Sequence, residues 1–190
     1  MKPRTVFLTM SLLGCAVILG TGFAAYYDDE NNYLIGDIAM TPPPSGDNLY
    51  IESNIKEVSL NLGQGKREDV ENNLVGITCY NGDDIITSLP FDVGANDDAV
   101  FDTLTISYRL TLTLESVRDC PITKYLTLGE SVFDGVLSKS KEIIVPLSFH
   151  YVDKPTTYEE YEVMMNDFIN SDKAFKISVD VDFTYQEFEI

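Results

Sequence analysis

The chain has 190 residues, 31 acidic against 13 basic, with one histidine and no tryptophan, so its formal net charge is −18 and its pI about 4.1. A nucleic acid or an anionic membrane surface would have to approach against that field, where association normally rests on a basic footprint, and neither is an expected partner. At 44% hydrophobic and 23% charged the chain is too apolar for an acidic disordered tail, and its length suits one domain around one core.

The first residues stand apart from that core. Lys2 and Arg4 precede an uncharged run from Thr5 to Gly20, and Gly22-Phe23-Ala24 stands where a signal peptidase reads the chain before Ala25. Residues 1–24 are therefore read as a secretory signal cleaved between Ala24 and Ala25. Cleavage removes two positive charges and no negative ones, leaving 31 acidic and 11 basic groups and a net charge of −20 on residues 25–190. The product is expected outside the cell or on its surface, touching the membrane only through the signal. Two alternatives stay open. The apolar run is long enough for an uncleaved anchor, and Leu12-Leu13-Gly14-Cys15 loosely resembles a lipidation site at Cys15.

With Cys15 lost in the signal, Cys79 and Cys120 are the remaining thiols in an oxidising setting. They are the candidate disulfide, against the alternative of two buried free thiols. A bridge closing a loop of about 40 residues would stabilise the fold by roughly 3 to 4 kcal/mol in the chain-entropy model.

Along the exported chain the apolar residues mostly recur with period two, the mark of a half-buried strand. A first segment over 25–40 contains a strand at 33–40 and is followed by a Pro-rich hinge at 42–46, where Pro42-Pro43-Pro44 is stiff and lacks amide donors. Shorter candidates follow at 55–62, 74–80, 85–91 and 122–128. Leu104, Ile106, Tyr108, Leu110, Leu112 and Leu114 alternate with polar residues to make a long strand between them. Ile143, Val145, Leu147, Phe149 and Tyr151 make another, with Pro146 calling for an edge or a bulge. Thr157 and Glu160 form a capping box ahead of Tyr158, Tyr161, Met165 and Phe168 at helical spacing. The last strand carries Phe175, Ile177, Val179, Val181, Phe183 and Tyr185. Eight or so strands with one short helix near the C-terminus predict an all-β, jelly-roll-like antiparallel β-sandwich.

Little in the chain suggests catalysis. His150 has no second histidine to share a zinc ion, and no metalloprotease helix, nucleophile elbow or phosphate loop occurs. The chain is not expected to be an enzyme or to need a cofactor. Calcium is the one cation the turns suggest, through Asp83 and Asp84 after Asn81-Gly82 and through Asp97 and Asp98 after Asn96, because it takes carboxylate and carbonyl oxygens from irregular loops.

The N-terminal junction says more. Gly20-Thr21-Gly22-Phe23-Ala24-Ala25-Tyr26-Tyr27-Asp28, followed by a strand with Tyr33, Gly36 and Ile38, resembles the TasA/camelysin family, exported proteins whose signals are processed by a dedicated SipW-type signal peptidase. Val58-Ser59-Leu60-Asn61-Leu62-Gly63 and the closing Phe183-Thr184-Tyr185-Gln186 are compatible with the same family. The resemblance implies a secreted jelly-roll protein that assembles into extracellular fibres of a biofilm matrix or cell surface. Independently of it, a strand before a tri-proline hinge can be presented outside its own sandwich and enter the sheet of the next copy, with Tyr33, Leu34, Ile35 and Ile38 as its contact residues; the alternative is a strand folded back into its own sheet with a loop after it. The competing expectation is a monomeric acidic module that captures or inhibits a basic protein partner.

Overall fold

The computed structural model describes residues 33–41, 49–63, 66–137 and 141–187. The expected signal, the Ala24–Ala25 cleavage point, Cys15 and the hinge 42–46 lie outside these residues. So does the part of the N-terminal segment before Tyr33.

The described chain is an all-β sandwich. Its large sheet has seven strands: β1 (Tyr33–Met40), β3 (Glu57–Asn61), β4 (Thr78–Asn81), β5 (Asp84–Ile85), β7 (Leu104–Ser116), β9 (Val132–Val136) and β12 (Ala174–Glu187), in the spatial order β5-β4-β3-β1-β12-β7-β9. A second layer is built from β2 (Leu49–Glu52), β6 (Ser88–Ala95) and β10 (Glu142–Pro146) in the order β10-β6-β2. A two-stranded ribbon pairs β8 (Leu126–Leu128) with β11 (Phe149–Tyr151). The period of two places Leu110, Leu112, Ile177 and Val179 of the large sheet and Leu89, Phe91, Ile143 and Val145 of the smaller one in a shared core.

Four helices are found among the described residues, α1 (Arg67–Glu71), α2 (Val100–Thr103), α3 (Ile122–Tyr125) and α4 (Tyr158–Ile169). In α4 the expected capping box is present, with the Thr157 hydroxyl accepting from the Glu160 amide and the Glu160 carboxylate accepting from the amide of Thr157. Its buried face of Tyr161, Met164, Met165 and Phe168 joins the core, where the Phe168 ring lies 5.4 Å from that of Tyr125. No helix among the described residues is long and apolar enough to cross a membrane.

Several strand expectations change in detail. The segment 85–91 divides because the chain leaves the large sheet after β5 and enters the small one at β6. The segment 122–128 opens as the helical turn α3, with Pro121 at its start and an extended Leu126 at its end. The run 143–151 keeps its alternation while serving two sheets, since Ile143, Val145, Leu147 and Phe149 all face the core across the break between β10 and β11. Pro146 lies on β10, an edge strand as expected.

The Cys79–Cys120 disulfide is corrected: both cysteines are free and buried. Cys79 faces the core from β4, whereas Cys120 follows the end of β7. Strands β3, β1 and β12 lie between β4 and β7, so four strand spacings, about 19 Å, separate them in the sheet. A disulfide spans Cα atoms only about 4.4–6.8 Å apart. Burial pushes the Cys79 thiol up to about 12 and raises that of Cys120, so both stay protonated at neutral pH.

Candidate functional site

The N-terminal strand is not at the rim of the sheet. β1 is the middle strand of seven, pairing antiparallel with β3 from Tyr33–Asn61 to Asp37–Glu57 and parallel with β12 from Ile35–Ala174 to Met40–Val179. Its parallel side is fastened by amides of Ile35 to the Lys173 carbonyl and of Thr41 to the Val179 carbonyl, both 2.9 Å. On the other side the Ile38 amide donates to the Lys56 carbonyl, also at 2.9 Å.

Period two sends Leu34, Gly36 and Ile38 inward and leaves Ile35 and Asp37 exposed. Leu34 and Ile38 are buried, each contributing roughly 1.5–3 kcal/mol by removal from water. Gly36 has a more specific role. A Cβ built at Gly36 would fall 2.1 Å from the Phe175 ring, which crosses the strand there and stacks edge-on against Phe149 at 6.1 Å. Absence of a side chain on β1 is thus the condition for the buried ring of β12 to lie over it.

On the outward face, Tyr33 of β1 and Tyr80 of β4 meet edge to face with centroids 6.0 Å apart. They belong to strands that β3 separates. On β3, Asn61 stands opposite Tyr33 and Ser59 opposite Tyr80, so the two rings meet on the diagonal across that strand. Exposed Ile35 and Ile85 extend this outward patch along the same cross-strand row.

The acidic turns stand elsewhere. Asp83 and Asp84 are exposed beside Gly82, whose φ of 59° needs a glycine-like residue to turn β4 into β5. Asp97 accepts from the Ala99 amide at 3.0 Å, and Asp98 pairs with Lys141 at 3.0 Å. Among the described residues, no group of three or more His, Cys, Asp or Glu side chains is arranged to hold a metal ion. His150 is exposed on β11.

Sequence reasoning located Tyr33, Leu34, Ile35 and Ile38 on one strand. It did not foresee that β1 and β12 pair side by side in parallel, nor the Gly36–Phe175 overlap. Parallel pairing joins the two ends of the chain and leaves no local turn signal, although a glycine at an inward strand position is a readable mark of close approach. No family model, curated protein or solved structure matches this chain.

Proposed function

We propose that this is a secreted structural protein that assembles into extracellular fibres of a biofilm matrix or cell surface, akin to the TasA/camelysin family, by passing β1 from one copy to the next. The observation that carries the proposal is the position of β1: a terminal-side strand, followed by a proline run, occupies the centre of the large sheet. A strand so placed makes the same ladders and core contacts whether it comes from its own chain or a neighbour's. Residues 41–48 span at most about 27 Å when extended, enough to reach an adjacent copy. Withdrawal of β1 bares a slot between β3 and β12, and only another copy of the strand, with glycine under Phe175, refills it.

Net charge sets the conditions. A charge of −20 on the exported chain keeps copies apart, and acid, salt or divalent cations such as calcium weaken that repulsion. Electron microscopy of the purified protein lacking residues 25–38 is the test. Persisting filaments overturn strand exchange; since β1 is also the protein's own central strand, loss of filaments supports it when an added peptide of residues 25–40 restores the folded β-sheet signal. Size-exclusion chromatography separates this reading from the monomeric inhibitor module, which stays at monomer mass under all these conditions and captures a basic protein.

A further inference from the structure

We propose that Tyr33 and Tyr80 form an oxidative cross-linking site that fastens the N-terminal strand covalently to β4. The pair is set up by the sheet. Leu34 and Cys79 face the core, so their chain neighbours Tyr33 and Tyr80 face solvent, and their diagonal placement across Asn61 and Ser59 of β3 lets the rings meet at 6.0 Å. Both rings are half-buried, held in place yet reachable by a small oxidant. Two further aromatic pairs, Tyr125 with Phe168 and Phe149 with Phe175, each include a phenylalanine and cannot join two phenols.

The chemistry requires a one-electron oxidant of the peroxidase and hydrogen peroxide class. Each phenol gives one electron to the oxidant and its hydroxyl proton to solvent, leaving two phenoxyl radicals. A carbon–carbon bond forms between the ring positions ortho to the oxygens. The two hydrogens displaced there move to the oxygens, restoring both phenols. One hydrogen peroxide takes up the two electrons and two protons and becomes two waters. Within one copy the bond locks β1 in its own sheet. Between copies it turns an exchanged strand into a permanent link, and this inter-copy form rests on the function proposed above.

The test treats the purified protein with peroxidase and hydrogen peroxide, reading dityrosine fluorescence and the mass of cross-linked peptides. The expected product joins the Tyr33 and Tyr80 peptides, and its fluorescence falls to background in Tyr33→Phe and in Tyr80→Phe, which keep the ring contact and the fold. Coupling spread over other tyrosines and unchanged in both variants overturns the site. An equal mixture of normal and 15N-labelled copies, assembled before oxidation, then separates the two readings. Mixed-isotope 33–80 peptides support both the site and exchange. Peptides of one isotope alone support the site and overturn exchange.

Discussion

β12 has two neighbours, and they differ in kind. With β7 it runs antiparallel along its whole length, from Phe175–Ser116 to Glu187–Leu104, and Lys176 pairs across the join with Glu115 at 3.3 Å. With β1 it runs parallel only from Ile35–Ala174 to Met40–Val179. Parallel pairing is slightly weaker per residue, the join is shorter, and β1 has a proline run behind it. β7 and β12 therefore make the longer join of the two, and β1 is held on the shorter one, the join on which the proposed exchange would act.

The largest effect should come from breaking the longer join. Ile177→Ala removes a fully buried side chain from β12 and is expected to cost about 2–5 kcal/mol in chemical denaturation. Next is the seam. Gly36→Ala forces a methyl group into the Phe175 ring and should cost about 1–3 kcal/mol as overpacking. The same change made in a Phe175→Ala background should cost much less, because the clash is gone. Equal costs in the two backgrounds would break the account of Gly36.

Thr157→Ala serves as a control away from the seam. Loss of the capping box should lower stability by about 0.5–2 kcal/mol while leaving the rate of the proposed strand exchange between isotope-labelled copies unchanged relative to variants of equal stability.

The smallest effect is on pH dependence. Hydrogen bonds hold five carboxyls below the usual carboxylate range: Glu115 through Ser178 and then Lys176, Asp134 through Arg109, Glu159 through its own amide and then Arg67, Glu160 through the amides of Thr156 and Thr157, and Asp167 through Lys124 and then Tyr125. Their stabilisation is present above the ordinary carboxylate pKa of about 4 and is lost as pH falls through the lower folded values. Melting temperature should therefore decline below about pH 4, and Asp134→Asn should flatten part of that decline. The effect is modest because the Arg109–Asp134 pair is exposed.

Much of the fold was legible in single residues. The alternation of β7 and β12 named the inward faces, Thr157 and Glu160 marked the start of α4, and Pro146 marked an edge. Other features were not legible, because alternation reports which side of a strand is buried and not which strand lies beside it. Hence 143–151 read as one strand while its halves joined different sheets, and β9 escaped notice because its valines face solvent while Gly135 faces inward. The cysteine pairing failed for the same reason: cysteine count and compartment carry no distance, and three strands of the folded sheet stand between β4 and β7.

By itself, the sequence determined the acidity, the class of fold, the inward residues along β7, β10 and β12 and the capped start of α4, since each of these depends on composition or on neighbours a few positions away. Only the tertiary structure decided that β1 lies at the centre of the large sheet beside β12, that Gly36 makes room for Phe175 and that Tyr33 meets Tyr80 across β3. These contacts join residues from distant parts of the chain, and their partners are chosen by how the whole core closes, which no local pattern encodes.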